Sequence, residues 1–271
     1  MSPNPWTLFS FLLKRIAGNR IVYGIYEKIL WNQIKDGQIP KHIGVILDGN
    51  RRWAVKRDMP SWGGHRFGAD KVDDLVGWCL DLKVKTVTLY AFSTENFSRP
   101  EAEVAELMRV FEDKLRTMSS DERIRRNRVQ IRVIGRTNLL PESTQKLARA
   151  VEEDTKDYDE HYLNIALAYG GRAEIVDAAK EIAREAQAGK IDVESIDEAM
   201  IEGHLYTAHL PQPDPDLIIR TSGEERLSGF LLWQGAYSEL CFIDVFWPDF
   251  RRIDLWRVIR TYQKRDRRRG A

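Results

Sequence analysis

Short apolar runs alternate with amphipathic stretches along most of the chain. Six runs predict strands, and several lack polar alternation, which is typical of strands covered on both faces. The predicted strands are residues 42–47, 86–92, 129–134, 163–168, 217–220 and 239–243. Apolar positions every three to four residues predict helices over residues 65–81, 102–118, 142–155, 172–187, 197–206 and 255–264. This alternation predicts one α/β domain over residues 41–271, with a central, mainly parallel sheet of about six strands flanked by helices.

The first 40 residues have a different pattern. Residues 6–13 are mostly apolar, Lys14 and Arg15 follow, and further apolar and aromatic positions continue to Trp31. We therefore predict an N-terminal amphipathic helical segment over residues 1–40, separate from the domain that follows. Such a segment can lie on a bilayer surface, although a helix packed on its own protein or on a partner subunit fits the pattern equally well.

No run reaches the ~18 consecutive apolar residues of a membrane span. The sequence predicts a cytoplasmic protein, with peripheral contact to the cytoplasmic membrane face through residues 1–36 if the N-terminal segment lies on a bilayer rather than on protein. Lys and Arg number 42 against 41 Asp and Glu, a balance that gives no general argument for nucleic acid as a partner. The charge is uneven, however, with +3 over residues 1–40, +7 over residues 251–271 and −9 between them. Basic ends indicate local contacts with anions or a membrane surface.

Polar residues follow the first predicted strand directly, in the run DGNRRW at 48–53. Ligands of open α/β sheets bind at the carboxyl ends of the strands. A glycine before a helix start offers backbone N–H groups to an anion, and Arg51 and Arg52 add charged donors. Asp48 by itself would repel an anion, so its position favours a divalent cation that bridges it to a diphosphate. An aspartate that caps a helix beside surface arginines is an equally good interpretation.

The second predicted strand ends in hydrogen-bonding side chains that lie between two phenylalanines. Ser93, Thr94, Asn96 and Arg99 are suited to bind a polar ligand in a cleft. The same residues fit a capped helix start. Both interpretations hold together if the cap satisfies the backbone while Asn96 and Arg99 face the cleft.

The fifth predicted strand leads into the loop 220–228, which has two arginines, two serines, a threonine and a glycine. Guanidinium groups, hydroxyls and a closely approaching backbone suit a diphosphate. Glu239 is a candidate second metal ligand beside Asp48, or else a partner in an edge-strand salt bridge. The basic tail 267–270 fits either a solvated charge run or a phosphate clamp. Several anion sites among apolar residues indicate an amphipathic substrate such as an isoprenoid diphosphate.

Seven separated motifs resemble those of the cis-prenyltransferases, the undecaprenyl and dehydrodolichyl diphosphate synthase type of enzyme. They are HIGVILDGNRRW (42–53), GH (64–65), LYAFSTENFSRP (89–100), LNIALAYGGR (163–172), DLIIRTSGE (216–224), FLLWQ (230–234) and WPDF (247–250). The resemblance covers about residues 41–270 in the same order. It implies a parallel-sheet fold with a hydrophobic tunnel, usually in a homodimer. It also implies extension of an allylic diphosphate, farnesyl or geranylgeranyl, by isopentenyl diphosphate with cis double bonds.

The resemblance also implies roles for individual residues. Asp48 would bind Mg²⁺ with Glu239 and would act in catalysis together with Asn96. Ala91 would line the tunnel, and Arg268 and Gly270 would form a tail that reaches the partner's site. The remaining implied substrate-binding residues are Gly49, Asn50, Arg51, Arg52, Trp53, His65, Ser93, Thr94, Glu95, Phe97, Arg99, Arg220, Arg226 and Ser228.

Position 61 departs from the family pattern. Many bacterial members have an arginine four residues before the histidine of the Gly-His motif, where this chain has Ser61. One usual diphosphate contact is therefore missing unless Lys56 or Arg57 replaces it. The expected product is a long-chain polyprenyl diphosphate for a glycosyl carrier lipid. The alternative is a non-catalytic subunit of a hetero-oligomeric enzyme, which typically lacks the aspartate or the Arg-Thr-x-Gly loop that this chain retains.

Overall fold

A computed structural model describes residues 20–118 and 120–265 of the chain. The strands are β1 (His42–Ile46), β2 (Thr86–Ser93), β3 (Val129–Ile134), β4 (His161–Tyr169), β5 (Leu217–Arg220) and β6 (Glu239–Phe242). The α-helices are α1 (Arg20–Ile34), α2 (Asn50–Val55), α3 (Gly64–Asp81), α4 (Glu101–Met118), α5 (Glu122–Arg126), α6 (Glu142–Thr155), α7 (Gly171–Gln187), α8 (Glu198–His204) and α9 (Arg252–Gln263). Residues 1–19 of the predicted N-terminal helical segment and the tail residues Arg268 and Gly270 lie outside the described residues.

The six strands form one sheet in the order β3-β4-β2-β1-β5-β6, and every neighbouring pair is parallel. All five residues of β1 and all four of β5 are buried, which explains their apolar runs without alternation. Ile46 pairs with Tyr90 on one side and with Arg220 on the other. The carboxyl ends of β1, β2 and β5 therefore meet at one edge. The predicted six-stranded parallel α/β fold is confirmed.

A β-bulge interrupts the pairing of β2 with β4. Tyr90 pairs with Ala166 and Phe92 with Leu167, so Ala91 is an extra residue on β2. On β4 the register shifts back at Ala168, which has a left-handed φ of 49°. Bulges often re-aim a side chain near a functional site, and Ala91 lies at the edge where the site forms.

Two short helices were not predicted from the sequence. Helices α2 and α5 have six and five residues, too few for the apolar repeat that identifies a helix. Helix α2 is nevertheless important, because it carries the residues that directly follow Asp48. The sequence had placed these residues at a helix start without giving the helix its bounds.

The described chain forms two compact units, residues 40–250 and a smaller unit of residues 20–39 with 251–265. In the smaller unit, α1 packs against α9, with the rings of Trp31 and Trp256 centred 5.4 Å apart. Arg252 of α9 also forms an ion pair with Glu27 of α1 at 3.1 Å. The sequence had assigned residues 251–271 to the catalytic domain, whereas the structure groups α9 with α1. Among the described helices, none combines the length and apolarity needed to cross a bilayer.

Candidate active site

A cavity of about 1470 Å³ opens at the carboxyl edge of β1, β2 and β5. Residues from distant parts of the sequence meet in its wall. The predicted site residues that line it are Asp48, Gly49, Asn50, Arg51, Arg52, His65, Ala91, Ser93, Thr94, Glu95, Asn96, Arg99, Arg220 and Ser228. The structure thus brings together most of the residues that the motifs singled out.

Asp48 is held by its main chain at the end of β1. Its N–H donates to the Thr221 hydroxyl at 3.0 Å, and its carbonyl accepts from the Thr221 hydroxyl at 2.7 Å and from the Trp247 N–H at 3.0 Å. Gly49 follows with a φ of 104°. A Cβ there would lie 2.7 Å from the Phe246 ring and 3.1 Å from its Cα, so only glycine fits this turn. The turn sends the next residues into the cavity wall as α2.

Arg220 forms the central contact of the site. It is about 5% exposed, and its Nη2 donates to Asp48 Oδ2 at 2.8 Å. Nη1 donates to Ser228 Oγ at 2.7 Å and to the Arg226 carbonyl. Burial by itself would raise the pKa of Asp48, but the hydrogen bond and charge of Arg220, with smaller contributions from Ser222 and Arg52, lower it overall. Asp48 is therefore a carboxylate at neutral pH.

Arg52 of α2 holds the loop after β5 in place through side-chain hydrogen bonds. Its guanidinium donates to Ser222 Oγ at 2.6 Å and to Glu224 Oε1 at 3.0 Å, and it lies 3.5 Å from Asp48 Oδ2. Two non-glycine residues of the loop have left-handed φ angles, 78° at Ser222 and 50° at Ser228. Backbone strain of this kind is typical of ligand-binding loops.

A buried carboxylate, Glu103, lies beside two of the arginines in the cavity wall and beside His65. It is about 4% exposed and lies 3.0 Å from Arg99, 3.5 Å from Arg51 and 3.5 Å from the Nε2 of His65. Burial lowers the pKa of His65, the hydrogen bond with Glu103 opposes this, and the charges of Arg99 and Arg51 reinforce it. Glu103 was not among the predicted site residues. Its four-residue spacing from Arg99 is not a helical pair, because Arg99 has an extended backbone two residues before α4 begins, so no local pattern in the sequence marks Glu103.

Asn96 lies where a short 3₁₀ turn, Thr94–Ser98, follows β2. Its Oδ1 accepts a hydrogen bond from the Ser93 N–H at 3.0 Å, which closes a capping box with Ser93. The carbonyl oxygen is thereby used in the fold, and the amide nitrogen is the donor that Asn96 can offer to a ligand. The cap and the cleft interpretations of this segment are thus compatible.

Of the predicted site residues that the structure describes, four do not line the cavity. The Trp53 ring packs on Phe67 at 4.8 Å, and the Phe97 ring packs on Phe92 at 4.9 Å, so both serve the local packing. Arg226 is exposed, and it contributes its carbonyl oxygen to Arg220 while its side chain pairs with Glu224.

Glu239 is the fourth, and the structure does not bring it to Asp48. It begins β6 and pairs with Leu217 at the start of β5, whereas Asp48 follows the far end of β1. In parallel strands these positions lie at opposite edges, roughly 16 Å apart at about 3.3 Å per residue. The prediction of one metal shared by both side chains of one chain is therefore wrong.

The remaining donor set still fits Mg²⁺. Among the described residues, no group of three or more His, Cys, Asp and Glu side chains is arranged to hold a metal. Mg²⁺ usually binds to one or two carboxylates together with substrate phosphates rather than in an all-protein cage. The ionised Asp48 at the cavity wall meets that requirement.

The position of the unusual Ser61 is also defined. Ser61 and Lys56 both line the cavity. Arg57 instead bonds to Asp249 at 3.0 Å and lies 4.1 Å from the Trp53 ring centre. Of the two possible substitutes for the missing arginine, the structure thus favours Lys56.

A smaller apolar pocket of about 70 Å³ adjoins the cavity. The two share wall residues Leu47, Asn50, His65, Ala91 and Leu107. Beyond them, the pocket is lined by apolar side chains of α3, α4, β2 and β4, among them Val72, Phe111, Leu115, Met118, Leu89 and Leu167. Ala91 therefore lies where the arginine-lined cavity meets the smaller apolar pocket.

Cationic side chains around one carboxylate, beside an apolar pocket, define an enzyme site for an amphipathic diphosphate. A family model described as putative undecaprenyl diphosphate synthase matches residues 46–270. The chain therefore belongs to this family of cis-prenyltransferases, which make polyprenyl diphosphates, as the motifs predicted.

Several known proteins are similar to the chain. A tritrans,polycis-undecaprenyl-diphosphate synthase (geranylgeranyl-diphosphate specific) of Methanocaldococcus jannaschii is 52% identical over 94% of this chain and 91% of its own length. The protein of that name from Methanopyrus kandleri is 51% identical over 92% and 91%. The crystal structure of lavandulyl diphosphate synthase from Lavandula x intermedia, in complex with dimethylallyl diphosphate, has a TM-score of 0.83 at 36% identity. It covers 86% of this chain and 98% of its own.

Proposed function

We propose that this chain is a Mg²⁺-dependent cis-polyprenyl diphosphate synthase that extends geranylgeranyl diphosphate with isopentenyl diphosphate. The observation that carries the proposal is the Asp48–Arg220 pair, set among further arginines at the mouth of an apolar pocket. The geranylgeranyl primer is supported by the names of relatives about 50% identical to the chain. The intact Asp48 and loop after β5 count against a non-catalytic subunit.

Two groups of donors can each hold one diphosphate. Arg51 and Arg52, at the first turn of α2, are placed for the allylic diphosphate, whose prenyl tail then enters the apolar pocket past Ala91. Arg220 and Ser228 are placed for isopentenyl diphosphate. This division brings two anions to one cavity, and the arginines offset their mutual repulsion.

The condensation breaks the allylic C–O bond and forms a C–C bond to isopentenyl diphosphate, which then loses a proton to give the new double bond. Mg²⁺, held by Asp48, would neutralise charge that develops on the departing diphosphate. Arg52 and the Asn96 amide nitrogen are placed to donate hydrogen bonds to that charge, and fixed donors of this kind need no reorganisation during the reaction. The neutral His65 adds no further positive charge to the pocket entrance.

The same proposal includes the product, the oligomeric state and the location of the enzyme. The product would be a long-chain polyprenyl diphosphate that becomes a glycosyl carrier lipid, and the enzyme would act as a homodimer in the cytoplasm. Residues 1–36 would contact the membrane face. The exposed apolar side chains Val22, Ile25 and Ile29 on one stripe of α1 support that contact.

Incorporation of radiolabelled isopentenyl diphosphate tests the proposal. Purified full-length protein is assayed with geranylgeranyl or farnesyl diphosphate, with Mg²⁺ or with EDTA, and Asp48→Asn is the control. We expect elongation that requires Mg²⁺ and is faster from geranylgeranyl diphosphate. Failure of the isolated chain to elongate either primer would contradict the proposal and favour a non-catalytic subunit.

Vesicle sedimentation tests the membrane contact separately. The full-length chain and an Ile25→Gln/Ile29→Gln variant are mixed with vesicles that contain anionic lipid. We expect the variant to sediment less, because two apolar side chains no longer enter the interface. Equal sedimentation of both proteins would exclude this stripe as the contact.

A further inference from the structure

The apolar pocket is too small for the chain it has to receive. Its volume is about 70 Å³, whereas an apolar cavity of about 150 Å³ holds only a single benzene molecule. A polyprenyl tail can therefore enter only if a wall of the pocket moves outward. Product length then depends on which wall moves and on what resists its movement.

The walls differ in how firmly they are fixed. Leu89 and Leu167 belong to β2 and β4, which are interior strands of the sheet and pair with a neighbouring strand on each side. The opposite wall is formed by α3 and α4, which are joined to each other through side chains. Packed helices can slide or separate by small movements that a sheet ladder does not allow. The α3–α4 wall is thus the one that can yield.

Polar side-chain contacts join α3 and α4 at three successive positions along the two helices. His65 meets Glu103 at the cavity, and Arg66 meets Glu106 at 3.0 Å. At the distal end, Lys114 Nζ lies 2.6 Å from Asp73 Oδ2 and 3.3 Å from Asp70 Oδ1. Lys114 is seven residues beyond Leu107, which lines both the cavity and the pocket, so it lies about 10 Å deeper along α4.

Lys114 lines the pocket among apolar neighbours, and its side chain is about 20% exposed. Long lysine stems cover apolar surface while the ammonium reaches a polar partner. We propose that the distal cluster, Lys114 with Asp73 and Asp70, holds the two helices together at the end of the pocket and thereby limits product length. This inference rests on the proposed function. It assigns to these three residues a part in product specificity, at a distance from the reacting atoms.

The test compares product lengths made from geranylgeranyl diphosphate by five full-length proteins, namely the wild type, three single variants and one charge-reversed double variant. Lys114→Met keeps the stem but removes the charge, and Asp73→Asn keeps the shape of the side chain but removes its charge. Lys71→Met is the matched control, because Lys71 is also about 20% exposed and pairs at 2.8 Å with Asp74, within α3 alone. Products are dephosphorylated and measured by mass spectrometry.

We expect the ratio of longer products to the main wild-type product to rise by up to about fivefold in Lys114→Met and Asp73→Asn, the scale of a partly exposed ion pair. Lys71→Met should keep the wild-type distribution. The double variant Asp73→Lys/Lys114→Asp should return toward it, because the attraction is restored. Unchanged lengths in both single variants, or an equal shift in Lys71→Met, would overturn the inference. A wild-type protein that does not elongate would instead refute the proposed function.

Discussion

The Asp48–Arg220 pair allows a quantitative test of how the site is held together. We consider Arg220→Met, Asp48→Asn and the double variant. Arg220→Met removes a charged hydrogen bond to Asp48 and two bonds to neutral oxygens of Ser228 and Arg226. Bonds to charged groups contribute about 1.5–3 kcal/mol and neutral ones about 1 kcal/mol. Because Asp48 is 29% exposed, water replaces part of its lost bond, and we expect Arg220→Met to cost about 3 kcal/mol.

The coupling between the two residues is the more specific quantity. Asp48→Asn leaves the buried Arg220 with a weaker acceptor, so it should cost about 1.5 kcal/mol of unfolding free energy. The double variant should be less destabilised than the sum of the singles by about 1.5–2 kcal/mol, because it leaves neither charge unpaired. The free energies come from urea denaturation followed by circular dichroism and tryptophan fluorescence, with equal m-values as a condition.

Arg57 and Asp249 provide the matched control pair. They lie 3.0 Å apart in the same compact unit, but their side chains are 43% and 45% exposed. An exposed pair of this kind should show a coupling below about 1 kcal/mol. If the coupling between Asp48 and Arg220 also fell below about 0.5 kcal/mol, the distance between them would not reflect a stabilising contact, and our account of the site would be refuted.

Three further predictions concern single residues. Burial lowers the pKa of His42 to about 4. The neutral His42 therefore makes its full contribution to the free energy of unfolding above the usual pKa of about 6.5, and this contribution decreases by about 1.4 kcal/mol per pH unit as the pH falls toward 4. His42→Gln should lose this contribution in urea titrations between pH 6 and 4.5, and slopes parallel to wild type would disprove it. Gly49→Ala should destabilise the protein by about 2–4 kcal/mol, measured by thermal unfolding, because an L-residue is strained there and its Cβ meets Phe246. Ala91→Leu should shorten the product, measured by mass spectrometry, because three added carbons fill the entrance to the 70 Å³ pocket; longer products would contradict the assigned position.

Elements with a strong local pattern could be predicted closely. The strands at 129–134 and 217–220 and the helix at 142–155 have the bounds that the sequence predicted. Helix α2, by contrast, is too short for a periodic pattern, and its place follows from the turn at Gly49. Local propensity and periodicity therefore identify the long elements, whereas short elements depend on what the chain contacts around them.

The positions of the site's side chains could be predicted for some residues and not for others. Asp48 and Arg220 could be placed because Asp48 follows β1 and Arg220 is the last residue of β5, and the carboxyl ends of parallel strands share one edge. Glu239 was misplaced because it begins the last predicted strand, and only the structure shows that this strand runs parallel to β5 and β1, which puts Glu239 at the opposite edge from Asp48. Glu103 was missed because its role arises from side chains of three separate elements that surround it.

The sequence by itself determined the fold class, the strands and longer helices, and which motifs carry the diphosphate chemistry, because apolar periodicity and motif spacing are local properties. The tertiary structure alone decided which predicted residues face the cavity, that Trp53 and Phe97 serve packing, and that Lys114 lines a small apolar pocket. Burial, pairing of charges and cavity volume depend on which distant segments come together. Those quantities are set by the sheet order and helix packing, which no single stretch of sequence contains.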